Sequence, residues 1–447
     1  MEHDRIAALA TPLAPAALAV IRCSGPGSVE AVARLTDRTS QVATAAGNTL
    51  RRVLLIDPEA DIVLDEVVLA IYRAPRSYTG EDSVEISCHG NPSGVRRILA
   101  ALYRGGFRPA DPGEFTLRAF LAGKLDLTRA EAVHEIVQAQ TATGHEMALE
   151  RLGGSVHAAI EEAKQGLVQI MATVAVQLDY PEEDTGEIVI PRETVATARR
   201  RLADLAATYG TGRLYQEGAR VALAGRTNAG KSSLFNAFLR EDRSIVSETH
   251  GTTRDYIESR VDLEGIPVQL YDTAGLRDTS EAIEGEGIRR TRGVLDGADL
   301  VVYLVDGTRG VDEEDRRVLE SHYGATVPVW NKIDHPECGV APEGFLAISA
   351  RSHRGISELV AAIANELTPE RRYRQGSPVI DSLRQKNLLD RATAALQEVE
   401  AGLEDGYPVD AISVDLQEAI NALGEITGEV TSEDVLDVVF GGFCLGK

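Results

Sequence analysis

One stretch constrains this chain more than any other: Gly225-Arg-Thr-Asn-Ala-Gly230-Lys231-Ser232. It follows the apolar run Val221-Ala-Leu-Ala224 and leads into Ser232-Ser-Leu-Phe-Asn-Ala-Phe-Leu239, which has helical periodicity. Strand, glycine-bearing loop, Lys-Ser and helix in that order predict a phosphate cradle within an α/β sheet. The glycines let backbone N–H groups close around phosphate oxygens, and the helix N-terminus adds positive potential. Asn228, Ala229, Gly230, Lys231, Ser232 and Ser233 are then the phosphate-side residues. Lys231 reaches the β- and γ-phosphates, and Ser232 takes Mg²⁺.

Four more strings follow apolar runs or precede one in the order a guanine-nucleotide domain requires. Asp272-Thr273-Ala274-Gly275 comes after the run VQLY, 40 residues beyond Ser232. An aspartate there binds Mg²⁺ through water, and the Gly275 N–H senses the γ-phosphate. Asn331-Lys332-Ile333-Asp334 follows VPVW. Asp334 can accept from both guanine N1–H and the exocyclic amine; adenine lacks that donor pair, so a carboxylate there rejects it. Ser349-Ala350 ends the run FLAIS and supports guanine O6. Between Ser232 and Asp272, Gly251-Thr252-Thr253-Arg254-Asp255 reads as a switch loop, with Thr253 offered to Mg²⁺.

The hydrolytic group is not legible from these strings. Leu276 stands after Asp-Thr-Ala-Gly, where Ras-like enzymes carry a water-orienting Gln, and leucine cannot orient water. Asp278, Glu281, Glu284 and Glu286 are the polar candidates nearby. Arg254 and Arg277 are the candidates for an arginine finger, although each also reads as a surface charge. Asn228 offers a side-chain oxygen beside the phosphates, where a monovalent cation would supply the missing positive charge.

Charge decides which partners are excluded. With 46 basic and 69 acidic residues the net charge is −23, which argues against unaided wrapping of nucleic acid and against DNA binding. Aromatic residues make up 5% of the chain, too few for a broad base-stacking surface. Cys23, Cys88, Cys338 and Cys444 form no Cys-x-x-Cys pair, so a zinc knuckle or disulfide framework is not expected, and a reducing cytoplasm suits them. No apolar run is long enough for a membrane span. The Ala-rich run from Ile6 to Ile21 is interrupted by Pro12 and Pro15 and preceded by Glu2 and Asp4, unlike a secretion signal.

Four pieces follow from the patterning. Residues 1–118 mix strands (Asp65–Tyr72, Ser83–Ser87) with a helix over Gly94–Tyr103 ended by Gly105-Gly106, and a turn at Asp111–Glu114. Residues 119–213 are helical; Thr128 with Glu131 reads as a capping box opening a helix to Ala142, and two long helices follow, broken near Tyr180–Asp184. Residues 214–372 alternate strands (Arg220–Ala224, Val268–Tyr271, Leu300–Val305, Val327–Trp330, Phe345–Ile348) with helices. Residues 373–447 are helical again. The expected fold is multidomain: an N-terminal α/β domain, a discontinuous helical domain, and a Ras-like P-loop domain inserted into it.

These residues together resemble the MnmE/TrmE family of tRNA-modification GTPases over essentially the whole chain. The marks are Arg22-Cys-Ser-Gly25, Tyr78-Thr-Gly-Glu-Asp82, His89-Gly90, the run from Pro112 to Asp126, the nucleotide strings, and the terminal Phe443-Cys-Leu-Gly-Lys447. The resemblance implies an N-terminal folate-binding and dimerisation domain, a homodimer, and an MnmG/GidA-type flavoprotein partner forming a heterotetramer or larger complex. It implies tRNA as substrate, with an aminomethyl-type group placed at C5 of the wobble uridine from a tetrahydrofolate (5-formyl- or 5,10-methylene-type) one-carbon unit. It assigns K⁺ to Asn228 with Ser247, Thr249 and Thr252, extends the nucleotide contacts over Ser247, Glu248, Thr249, His250, Gly251, Thr252 and Thr253, and chooses Glu284 as the water-orienting acid. For folate it points to Arg22, Glu85, Lys124 and Lys447, with Cys444 as a candidate reactive thiol.

The chain departs from the family in its Gly-poor segment Leu13–Ala19, in Cys23, Asn91 and His250, and in Thr227, where the family has proline. A competing reading is a regulatory or ribosome-assembly GTPase whose flanking domains only bind partners; another is a folate enzyme of the aminomethyl type with the GTPase as a switch.

Overall fold

Near the amino end, apolar residues alternate with polar ones, the period of strands buried on one face. Ile21 and Cys23 alternate with Arg22 and Ser24; Val84, Ile86 and Cys88 alternate with Ser83, Glu85, Ser87 and His89. In the computed structural model, which describes residues 4–179, 190–240, 258–272, 297–320, 325–368 and 373–447, they form adjacent strands of a six-stranded sheet. The chain divides into two compact units, Met1–His134 with Leu152–Ala158 and Ile420–Lys447, and Glu135–Arg151 with Ala159–Ala419.

In the first unit the strands are β1 (Ile6–Leu9), β2 (Ala16–Ser24), β3 (Thr49–Asp57), β4 (Ile62–Tyr72), β5 (Ser83–Gly90) and β6 (Arg108–Pro109), in the order β3-β4-β5-β2-β1-β6. The apolar run from Ile6 to Ile21 is thus parts of two strands, paired antiparallel with Ala7 opposite Cys23. Helices α1 (Ser28–Ala33), α2 (Thr39–Ala43) and α3 (Pro92–Arg104) supply the rest of the core: Val29, Val32, Val42, Val95, Ile98 and Leu102 join Ile21, Ile86 and Leu69. Asn91 caps α3 by accepting from the N–H groups of Ser93 and Gly94. The opposite sheet face leaves Leu18, Leu50 and Val68 exposed. It also carries Arg22 opposite Glu85.

Helix α4 (Glu114–Leu121) buries two charges. The Arg118 side chain is 9% exposed and Glu114 is 6%. Arg118 donates to Glu114 (2.8 Å), to Asp4 (2.7 Å) and to both Glu81 oxygens, the nearer at 3.1 Å. Arg108 grips Glu114 and Asp4 from the other side, at 2.7 and 2.6 Å. Burial pushes the Glu114 carboxyl up, and the hydrogen bonds from Arg108, the Asp111 N–H and Arg118 outweigh it, leaving the group below its ordinary value.

One helix start differs from expectation. Helix α5 (Leu127–Gln138) opens under Asp126, whose carboxylate accepts from the Thr128 N–H and hydroxyl and from the Arg129 N–H. The cap is Asp126, two residues earlier than the capping box predicts, and Thr128 is itself a donor to it. The helix ends at Gln138, and α6 (Ala142–Leu152) starts anew after a hydrogen bond from the Gly144 N–H to Thr141. Further helices are α7 (Ser155–Asp179), α8 (Arg192–Ala206) and α9 (Tyr209–Glu217); Tyr180–Asp184 lies outside the described residues.

In the second unit, β7 (Ala219–Gly225), β8 (Glu258–Leu263), β9 (Ile266–Asp272), β10 (Leu300–Asp306), β11 (Ala325–Asn331) and β12 (Leu346–Ala347) form a sheet in the order β12-β11-β10-β7-β9-β8. Every neighbouring pair is parallel except β8 with β9. Helices α10 (Lys231–Arg240), α11 (Glu313–Glu320) and α12 (Ile356–Leu367) accompany it. The strand order reverses at β7, flanked by β9 and β10, which is where open α/β sheets bind ligands at their carboxyl ends. Arg151, 3% exposed, bonds Glu135 (2.6 Å) and Asp381 (3.0 Å), tying α5, α6 and the segment before α13 (Leu383–Asp405) together. Helices α14 (Val409–Thr427) and α15 (Glu433–Gly441) complete the chain.

Arg118 is expected to hold the first unit together. Replacing it with Met leaves Glu114 and Glu81 short of a cation, a loss of about 3 kcal/mol or more for a buried pair. Amides of β1 and α4 in Arg118→Met should therefore exchange hydrogen about a hundredfold faster, whereas Arg52→Met, which breaks an exposed pair with Glu66, should leave them unchanged. Equal protection in both variants would contradict the account.

Candidate functional site

The loop after β7 needs two backbone conformations that ordinary residues resist. Gly230 has φ +103°, and a Cβ on it would lie 2.1 Å from Asn331 Nδ2. Only glycine fits there. Asn228 takes φ +65°, a left-handed conformation that asparagine tolerates better than most residues. The loop closes on its own lysine: Lys231 Nζ donates to the carbonyls of Gly225 (2.8 Å) and Arg226 (2.9 Å). That places the ammonium at the mouth of a ring of backbone groups at the start of α10, the geometry of a phosphate site.

The other strings arrive at the same edge of the sheet because each ends a parallel strand. Ser232 Oγ donates to Asp272 Oδ2 at 2.9 Å, an oxygen pair suited to Mg²⁺ and its water. Asn331 joins the two halves of the site: its Nδ2 donates to the Ala229 carbonyl (2.7 Å), and its Oδ1 accepts from the Ala350 N–H (3.1 Å). Ser349 Oγ donates to Asp334 Oδ1 at 2.6 Å, and this bond holds the exposed Asp334 carboxyl below its usual range. The Ile333 N–H donates to Ile348. Lys332, at φ +71°, is fixed by Asp306 Oδ2 at 2.7 Å. Asp306 has no place in the sequence strings; its only signal was that it ends an apolar strand. Ser233 lies exposed in α10. Glu284, Ser247, Glu248, Thr249, His250, Gly251, Thr252, Thr253, Thr273, Ala274 and Gly275 lie outside the described residues.

The first unit has its own cavity, of about 180 Å³, lined by Arg22, Cys23, Tyr72, Tyr78, Thr79, Ser83, Glu85 and Phe115. Arg22 Nε donates to Glu85 at 2.9 Å, and Arg22 Nη1 donates to the Gly446 carbonyl at 3.1 Å. The Phe115 N–H donates to the Lys447 carbonyl at 3.2 Å. Burial, reinforced by the Arg22 charge, pulls the Lys447 ammonium below its usual value. Arg22, Glu85 and Lys447 are thus brought together. Lys124 does not line the cavity; its Nζ donates to the Pro75 carbonyl, and its stem passes beside Gly80. Cys444 is exposed and Cys23 is buried, its thiol pushed far up by burial.

Sequence reasoning missed the wall of this cavity. Ser24 Oγ bonds Thr79 (2.6 Å) and donates to Glu81 (2.8 Å), and Glu81 meets Arg118, so the wall is continuous with the buried charges of α4. The signal was present in Tyr78–Asp82 and in the run after Pro112, without a hint that they touch.

Family profiles cover almost the whole chain: one described as GTP-binding protein TrmE N-terminus matches residues 5–124, and one described as MnmE helical domain matches residues 127–444. A tRNA modification GTPase MnmE of Treponema denticola is 40% identical, across 99% of this chain and 98% of its own. Those of Borrelia recurrentis (40%, 100% and 99%) and Carboxydothermus hydrogenoformans (37%, 100% and 100%) are similar throughout. Among solved structures, the G domain of the T. maritima FeoB iron transporter aligns with 33% of this chain and 98% of its own at 25% identity and a TM-score of 0.27.

Asp334 sits where it can select the base. Asp334→Asn should lose preference for guanosine triphosphate and gain it for xanthosine triphosphate, because the amide offers a donor to the xanthine O2. Competition between the two nucleotides in a binding assay checks this; an unchanged preference, or equal binding of ATP by the wild type, would overturn the assignment.

Proposed function

Because the chain belongs to the MnmE family of tRNA modification GTPases, we propose that it hydrolyses GTP while, with an MnmG/GidA-type flavoprotein, it adds a carboxymethylaminomethyl-type group at C5 of the wobble uridine of certain tRNAs. The observation that carries this reading is the presence in one chain of two sites: the guanine-type cradle around Asn331, and the Arg22–Glu85 cavity against the carboxyl end. A regulatory GTPase needs the first and has no use for the second.

In the cradle, Lys231 and the loop N–H groups bind the phosphates, Ser232 with Asp272 and Thr253 serves Mg²⁺, and Asp334 with Ser349 and Ala350 holds the base. Asn228 with Ser247, Thr249 and Thr252 takes K⁺, and Glu284 orients the attacking water. The cation supplies positive charge where the breaking bond gathers negative charge. Asn228, exposed at the lip of the loop, has its side chain open to a cation beside the phosphates.

In the first unit, the cavity is below the roughly 300–1,000 Å³ of whole small-molecule sites, so it fits a pterin head with the remainder outside. Glu85 accepts from the pterin ring as Asp334 does from guanine, and Arg22, Lys447 and Lys124 face the anionic remainder. Tetrahydrofolate supplies the one-carbon unit when bound there. Leu18, Leu50 and Val68, exposed on the same sheet face, support pairing of two copies.

Mass spectrometry of tRNA nucleosides from cells lacking the protein should show loss of the wobble modification; normal nucleosides would reject the reading. In the purified protein, K⁺ should accelerate hydrolysis where Na⁺ does not, and Asn228→Ala should remove that response more than it weakens GTP binding. Glu284→Ala should keep binding and lose roughly a hundredfold in rate. Equal rates in K⁺ and Na⁺ at matched ionic strength would leave Asn228 a loop-shaping residue only.

A further inference from the structure

A cavity of about 430 Å³ opens in the second unit, lined by Gln140, Arg213, Glu217, Arg220, Arg260 and Gln269 among others. Three of these residues form a row fixed by strand register. Arg220 of β7 lies opposite Gln269 of β9, and Gln269 lies opposite Arg260 of β8. Their chain neighbours Val221, Val268, Leu270 and Val261 are in the core, so the row faces the other way. Across two strand spacings the two arginine backbones stand about 10 Å apart. Arg213, in the middle of α9, adds a third cation.

Many arginines of this chain of 69 acidic and 46 basic residues are held in ion pairs, as Arg22, Arg108, Arg118 and Arg151 are. Among the described residues, none of the three guanidinium groups at this cavity is in an ion pair. Two carboxylates share the lining, and one of them, Asp299, already accepts from the Arg220 N–H at 2.8 Å. The row lies at the opposite end of β7 from Gly225, about 16 Å along the strand, so it is no part of the nucleotide cradle.

We propose that this arginine row is a second phosphate site, and that its occupant is the phosphodiester backbone of the tRNA. The inference rests on the reading of the chain as a tRNA-modifying GTPase. An RNA meeting a surface of net charge −23 must land where cations are locally available, and arginines with no ion pair among the described residues, set two strand spacings apart across β9, offer forked donors to backbone phosphates. The contact is to backbone, so it positions the RNA without reading its sequence.

The test is fluorescence anisotropy of a labelled unmodified tRNA transcript with the full chain, over a series of KCl concentrations. Replacing Arg213, Arg220 and Arg260 together with Gln should flatten the slope of log affinity against log salt by about two to three, close to one per arginine. Lys at the same positions should restore the slope, and GTP hydrolysis without tRNA should be unchanged in both variants. An unaltered slope in the Gln variant, or no recovery with Lys, would overturn the proposal. Calorimetry with inorganic tripolyphosphate separates the sources: arginine-dependent binding of that ion by a protein that ignores the transcript would make this a small-anion site and reject RNA. Loss of the wobble modification in cells lacking the protein, alongside an unaltered slope, would fail this inference alone; normal nucleosides would fail the reading beneath it.

Discussion

The last residues of the chain are held against its first strands. The Gly446 carbonyl accepts from Arg22, the Lys447 carbonyl accepts from the Phe115 N–H, and Gly446, at φ +86°, leaves room for the Leu9 carbonyl where a Cβ would lie 2.7 Å away. A unit that contains both ends obliges the residues between to leave it and return. Helices α5, α7 and α14 carry the chain out and back, and the P-loop sheet is built wholly within the excursion. Phe440 and Phe443 pack with Leu127 and Ala130, so apolar burial as well as hydrogen bonding fixes the end.

Both candidate sites use the same device, a side chain that is satisfied on two sides and joins separate segments. Asn331 ties the phosphate loop to the base loop, so the two halves of a nucleotide are met by one prearranged frame. Arg22 ties Glu85 to the carboxyl end in the same way. The buried Arg118 cluster lies behind that cavity, where the low dielectric makes a missing partner costly and a complete set rigid.

What could be read from the sequence follows from how local each signal is. The cradle was legible because glycine, lysine and serine act through backbone geometry within eight residues, and each partner string closes a strand. Strands β9, β10 and β11 were legible for the same reason, as continuous apolar runs. Strand β8 was not: Glu258-Ser-Arg-Val-Asp-Leu263 alternates, being covered on one face only and antiparallel to β9. The run from Ile6 to Ile21 carried no signal of two strands, because its pairing with β5 and β6 lies tens of residues away. Thr128 drew attention from Asp126 because both are good caps and only geometry separates them. The cavity wall of Tyr78, Thr79 and Phe115 depends on contacts between distant segments, which no spacing rule encodes.

The central proposal is that the carboxyl end completes the cavity of the first unit as a folate site. Calorimetric titration of 5-formyltetrahydrofolate into the full chain and into a chain ending at Phe443 tests it most directly, with GTP hydrolysis as the check that the second unit is intact. The account predicts that the truncated chain loses Arg22's carbonyl partner and the Lys447 charge, and binds at least about tenfold more weakly while hydrolysing GTP normally. Equal affinity in the two chains, or no binding by the full chain, would contradict it.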